Sequence, residues 1–201
     1  MILGDIMRKI VLASNNQHKI KEFKEMLPNY EILSLKDIGF LDDIVEDGET
    51  FLDNSLIKAQ EISNYLKNNV LDYDVIADDS GLCCEALDGA PGVFSARYAG
   101  NHNDQANRDK LINELKDKDR SAYFVCCIVL YHIDGTYNHY EGRTYGKIID
   151  EERGSTEFGY DCIFLSDDLG VTFGQASSEE KNSVSHRSRA INKLMGGLNE
   201  K

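Results

Sequence analysis

The stretch Val75-Ile76-Ala77-Asp78-Asp79-Ser80-Gly81-Leu82 decides how the chain is read. Three apolar residues run into two adjacent carboxylates, a hydroxyl and a glycine. Val and Ile favour a strand and Gly81 favours a turn. The stretch therefore predicts a buried strand that ends at a cleft and delivers Asp78 and Asp79 there. Neighbouring side chains of a strand point to opposite faces, so at most one of the two carboxylates meets a given ligand directly. Side by side they repel unless a cation or hydrogen-bond donors stand between them, and a divalent metal is the simplest remedy. A solvated structural turn is the competing reading, and the stretch alone favours it, because Asp, Ser and Gly dominate turns.

Upstream, residues 9–13 (Lys-Ile-Val-Leu-Ala) read as a buried first strand. Ser14, Asn15, Asn16, Gln17, His18 and Lys19 follow, and then Ile20, Phe23 and Leu27 recur at helical spacing until Pro28. A strand, a small polar loop and a helix start make a natural anion site, where backbone N–H groups and the helix dipole converge and Lys19 adds a charge. Capping by Ser14 or Asn15 is the plainer reading of the same loop. Neither a Walker loop nor a dinucleotide fingerprint is present. Residues 30–35 suggest a second strand, and 36–49 form an acid-rich loop with Glu46 and Asp47. Oxygen ligands of that kind suit magnesium, although most such charges are solvated surface. In the next helix Phe51, Ser55, Ala59, Ile62 and Leu66 fall on one stripe, with Leu52 and Leu56 beside it. Asn54 and Lys58, four apart, share another face.

Downstream, Gly89-Ala90-Pro91-Gly92 shapes a loop before Ser95-Ala96-Arg97-Tyr98. A polar helix is expected over 103–115 and an apolar strand over 122–131. The Asp134-Gly135 turn then leads into a strand over 138–149. Phe158, Gly159, Tyr160 and Asp161 precede a short strand expected over 162–165. That segment suits either a packed corner or the stacking and hydrogen bonding of a flat ring. Beyond Lys181, Ser185 reads as an N-cap that puts His186 and Arg187 in the first turn of a helix. Basic residues there oppose the helix dipole, which a bound anion or a carboxylate partner would explain.

The chain has 201 residues, 41% hydrophobic and 28% charged, as expected of one ordinary globular domain spanning 1–201. Residues 1–7 read as an N-terminal extension without the layout of a secretory signal. No apolar run approaches a membrane span. Cys83, Cys84, Cys126, Cys127 and Cys162 are odd in number and lie in apolar segments, which fits reduced, cytoplasmic core thiols. The net charge of −13 argues against a nucleic-acid polymer as partner, whereas local lysines with a metal still permit a small anionic ligand.

Segments spread from residue 9 to residue 194 together resemble one family, the noncanonical purine nucleoside triphosphate pyrophosphatases (inosine/xanthosine triphosphate pyrophosphatases). The resemblance rests on the 14–19 loop, on Glu46-Asp47-Gly48-Glu49-Thr50-Phe51 and on residues 54–58. It continues through 77–82, Gly89-Ala90-Pro91-Gly92 and Ser95-Ala96-Arg97-Tyr98 to Phe158-Gly159-Tyr160-Asp161 and Lys181 with Ser185-His186-Arg187. Three departures stand out. The first loop reads Ser-Asn-Asn where many members have Thr-Gly-Asn, Val45-Glu46-Asp47 replaces the usual Glu-Glu-Thr, and Cys162 replaces a proline.

The resemblance implies an α/β fold with a long, mixed, twisted sheet flanked by helices, and two lobes with an active cleft between them. It implies magnesium-dependent hydrolysis of ITP, dITP and XTP to the monophosphate and pyrophosphate, by a homodimer. Carried over by position, Asp79 is the catalytic carboxylate, as base, metal ligand or both, and Glu46 binds metal. Ser80 contacts substrate. Ser14, Asn15, Asn16, Gln17, His18, Lys19 and Lys58 hold phosphates. Phe158, Gly159, Tyr160, Asp161, Lys181, His186 and Arg187 surround the nucleoside. A binding module without turnover and a phosphatase releasing orthophosphate are the alternatives, and product identity separates the three.

Overall fold

A computed structural model of the chain describes residues 7–100 and 102–199. Residues 1–6, most of the expected N-terminal extension, lie outside the described residues. Strand β1 (Arg8–Leu12) buries Ile10, Val11 and Leu12 completely. It can do so because it is flanked by parallel strands, and parallel strands covered on both faces read as continuous apolar runs. Helix α1 (Gln17–Met26) returns the chain to β2 (Tyr30–Leu33), which pairs in parallel with β1, Ile10 opposite Ile32. A loop leads to α2 (Phe51–Asn68) and then to β3 (Asp74–Cys84), parallel to β1 on its other side with Val11 opposite Val75. Helix α3 (Asp104–Glu114), β4 (Ser121–Tyr131), β5 (Tyr137–Ile148), β6 (Phe164–Ser166), α4 (Ser178–Val184) and α5 (His186–Asn199) complete the chain. The six strands form one mixed sheet in the order β2-β1-β3-β4-β5-β6, with β5 and β6 antiparallel.

The chain divides into two compact units. The first comprises Met1–Asp79, Cys127–Tyr140 and Ile191–Lys201. Its core joins Val11, Val75, Ala77 and Val129 to Ala59, Ile62 and Leu66 of the α2 stripe. Each fully buried Leu, Ile or Val is worth about 1.5–3 kcal/mol, so this stripe anchors α2 firmly. The second unit comprises Ser80–Cys126 and Glu141–Ala190, with Leu111, Leu115, Phe124, Phe164 and Phe173 at its centre. Phe124 meets Phe164 at 4.7 Å between ring centroids.

Three local expectations change. β3 does not end at the carboxylates but continues through Gly81 to Cys84, because Leu82, Cys83 and Cys84 are buried and hold it in the sheet. A 3-10 turn (Asp161–Ile163) occupies the first half of the expected last strand, so β6 starts only at Phe164. Helix α4 is one that hydrophobic periodicity does not announce. All five cysteines are free and buried, as expected. Among the described residues no helix is long and apolar enough to cross a membrane.

Candidate active site

Strand alternation separates the two aspartates of β3. Asp78, only 1% exposed, faces Lys19, whose Nζ lies 3.0 Å from its Oδ2. Asp79 has different partners in the first unit. Asn54 Nδ2 donates to Asp79 Oδ2 at 2.9 Å, and Lys58 Nζ lies 4.0 Å from Asp79 Oδ1. The same ammonium is 2.5 Å from Glu46 Oε2. Two carboxylates thus share one cation, which offsets their repulsion. Burial pushes the Asp79 carboxyl above the usual carboxylate range against the pull of Lys58 and of the Asn54 amide, and Glu46 adds to the push.

Three features of the local chain fix this arrangement. Thr50 caps α2 in a reciprocal box with Asp53, which sets where the helix begins. Asn54 and Lys58 then project one turn apart, and the stripe beside them buries both, leaving the Lys58 side chain 8% exposed. Gly48 N–H donates to Asn54 Oδ1 at 2.9 Å, which turns the amide so that its NH2 faces Asp79. A Cβ on Gly48 would stand 2.8 Å from that same Oδ1, so the approach requires glycine. Asn54, which the sequence reading placed beside Lys58 but assigned no role, thereby belongs to the cluster. Its spacing from Lys58 was the available signal. Asp47, the alternative acid, is exposed, and Glu46 is the one that meets Lys58.

The 14–19 loop is built differently from expectation. Asn16, not Ser14 or Asn15, caps α1: its Oδ1 accepts from the N–H groups of His18 and Lys19 at 3.0 and 3.2 Å. Ser14 Oγ in turn accepts from the Asn16 N–H. Two first-turn donors are therefore engaged by the protein itself. Asn15, Asn16, Gln17 and His18 are exposed, and Lys19 reaches back to Asp78.

The second unit holds the remaining candidates. Ser80, its first residue, follows Asp79 on β3 and is half-buried. Phe158, Gly159, Tyr160 and Asp161 form a tight turn in which the Asp161 N–H donates to Phe158 O at 3.0 Å. Lys181 pairs with Asp161, and its ammonium sits 4.5 Å from the Phe158 ring centroid. Tyr160 Oη donates to Ser95 O at 2.8 Å, tying the turn to the Ser95-Ala96-Arg97-Tyr98 segment. Ser185 is the N-cap expected for α5, its Oγ accepting from the Ser188 N–H at 3.1 Å. His186 and Arg187 are both buried in the first turn, and His186 stacks on Phe124 at 5.0 Å.

Among the described residues no group of three or more His, Cys, Asp or Glu side chains could hold a metal ion. Magnesium is commonly bound by one or two carboxylates plus phosphate and water oxygens. The Glu46 and Asp79 pair, already gathered around one cation, fits that donor set.

Residues 10–196 match the model of the Ham1 family. The chain is 48% identical over 199 residues to a dITP/XTP pyrophosphatase of Clostridium perfringens, covering 96% of this chain and 98% of the relative. It is 43% identical over 200 residues to a dITP/XTP pyrophosphatase of Bacillus licheniformis, covering 96% and 100%. Among solved structures, the Staphylococcus aureus Ham1 protein is similar with a TM-score of 0.86 and 42% identity, over 96% of this chain and 100% of that one. A HAM1 protein from Coxiella burnetii also gives 0.86, at 38% identity over 97% and 100%. A family model spanning nearly the whole chain, together with relatives of this identity and length, agrees with the resemblance read from the motifs: the chain belongs to the Ham1 family.

Proposed function

We propose that the protein hydrolyses the noncanonical purine nucleoside triphosphates ITP, dITP and XTP to the nucleoside monophosphate and pyrophosphate, using magnesium. The names of its relatives support the substrate class. The observation that carries the chemistry is the convergence of Asp79, Glu46, Lys58 and Asn54 in one cluster. Hydrolysis breaks the anhydride between the α- and β-phosphates, and the attacking water must give up a proton. Asp79, oriented by the Asn54 amide, is the acceptor in this proposal. Lys58 and Lys19 offset phosphate charge, and Ser14, Asn15, Asn16, Gln17 and His18 line the same end of α1. Glu46 and Asp79 would hold magnesium, which when bound neutralises charge on the phosphates and on the departing pyrophosphate. Ser80 contacts the substrate beside Asp79.

In the second unit, Phe158 offers a stacking face, Gly159 shapes the turn beside it, and Tyr160, Asp161, Lys181, His186 and Arg187 supply polar groups for the nucleoside. Donors among them suit a 6-keto oxygen, which accepts hydrogen bonds. Adenine's 6-amino group donates, so donors would meet donors and stay unpaired. Polar mismatches of that kind discriminate by up to about ten-thousandfold. Homodimeric assembly and a cytoplasmic location complete the proposal, and light scattering that returns the mass of one chain contradicts the dimer. The test of substrate class is kcat/KM for ITP, XTP, GTP and ATP on the wild type and on Arg187→Ala. ITP and XTP should lead ATP clearly in the wild type, with the lead reduced in the variant. Equal efficiency on ITP and ATP in the wild type contradicts the base selectivity.

A further inference from the structure

The turn formed by Phe158, Gly159, Tyr160 and Asp161 is gripped by α3, through side chains that the proposed reaction leaves unused. Gly159 sits at φ +48°, a conformation that glycine tolerates, and its peptide N–H and C=O both find partners outside the turn. One helix takes both of those groups. Asp104 Oδ2 accepts from the Gly159 N–H at 3.1 Å, and Arg108 Nη1 donates to Gly159 O at 2.8 Å. Asp104 and Arg108 are four apart on α3, so they project on one face.

Arg108 is itself locked. It is 3% exposed, its Nε donates to Glu152 Oε1 at 2.7 Å, and its Nη2 donates to Gln105 Oε1 at 2.9 Å. Gln105 Nε2 also reaches Glu152 Oε1, at 3.0 Å. Burying a guanidinium is costly unless its charge is paired and its donors are satisfied. Here the planar fork meets a carboxylate, an amide oxygen and a backbone carbonyl in fixed directions, a geometry that a lysine does not reproduce. A side chain held this rigidly transfers its position to whatever it holds in turn. What it holds is the peptide between Phe158, the proposed stacking ring, and Asp161, the carboxylate paired with Lys181.

We propose that Arg108, together with Asp104, is a positioning residue for base recognition, fixing the 158–161 turn in the one arrangement that receives the purine. The proposal rests on the nucleotide reading above. Its test uses the full chain carrying Arg108→Ala, Arg108→Lys or Asp104→Ala. Asp104 is exposed, so its variant keeps the fold should the Arg108 variants lose it. Steady-state kinetics on ITP and ATP are measured together with deuterium exchange of the peptide containing residues 158–161.

In Arg108→Ala and Asp104→Ala, KM for ITP should rise while kcat changes little, and kcat/KM should fall by roughly ten- to a hundredfold, the scale of a small misplacement. The preference for ITP over ATP should narrow, exchange in the turn should accelerate, and Arg108→Lys should fall between wild type and Arg108→Ala. Unchanged KM, preference and exchange in both alanine variants overturn the proposal. So does an equal loss of kcat on ITP and ATP at constant KM, which marks a merely structural role. A wild type that releases no pyrophosphate from ITP overturns the nucleotide reading and the positioning role with it. Unchanged exchange in variants of an active wild type sinks the clamp alone.

Discussion

Asp79 is the residue on which the proposed chemistry turns. It is 15% exposed, it takes a hydrogen bond from Asn54, and it shares a lysine with Glu46. Asp79→Asn keeps the shape and loses the base, so turnover should fall by about a hundred- to ten-thousandfold while the melting curve stays close to wild type. Near-normal pyrophosphate release from a normally folded variant contradicts the assignment. The neighbouring acids make a second prediction. Glu46→Gln should chiefly raise the magnesium concentration needed for half-maximal rate, because Glu46 is the acid that joins the cluster, and Asp47→Asn should leave it nearly unchanged. A magnesium titration of both variants checks this, and the reverse pattern moves the ligand to Asp47. Much of this cluster was legible in the chain. The Asp78-Asp79 pair, the acids before Gly48 and the i,i+4 pair of Asn54 and Lys58 each carried a signal. The role of Asn54 did not, because it depends on Gly48 orienting its amide through a contact between a loop and a helix.

At the scale of elements, caps decide where side chains land. The Thr50/Asp53 and Ser177/Glu180 boxes start α2 and α4, and the second also shows why α4 escaped a reading based on apolar periodicity. Its signal was the capping signature Ser177 to Glu180, not hydrophobic spacing. Strand β3 was misjudged at its end for a related reason: Gly81 suggested a turn, but tertiary burial of Leu82 and Cys84 overrode that local preference. The grip of α3 on the 158–161 turn gives a pH prediction. Arg108 above all holds the Glu152 carboxyl below its ordinary value of 4.5, against the opposing effect of burial and with a lesser contribution from Gln105. A carboxylate whose folded pKa is depressed contributes stability above its unfolded pKa, and loses it as pH falls through the folded value. The difference in Tm between wild type and Glu152→Gln should therefore be full at neutral pH and close only below about pH 4.5, the unfolded glutamate range. A difference in Tm that is constant from neutral pH to well below that value contradicts the pairing.

For the molecule as a whole, the β1-α1-β2 start follows from apolar runs alternating with helical periodicity, whereas the mixed sheet was legible only through the resemblance to the family. Two lobes were likewise implied by the resemblance, but where the chain divides into its two units was not readable. The chain passes between the units within β3, β4, β5 and α5, so no linker, proline-rich tract or shift in composition marks the boundary. Family membership and the cluster around Asp79 converge on one claim, that the protein splits a triphosphate between its α- and β-phosphates. Phosphorus NMR of ITP turned over by the wild-type protein with magnesium tests that claim most directly. The account predicts inosine monophosphate and pyrophosphate appearing together in equal amounts, with no inosine diphosphate at early times. Orthophosphate and inosine diphosphate as the first products would contradict it.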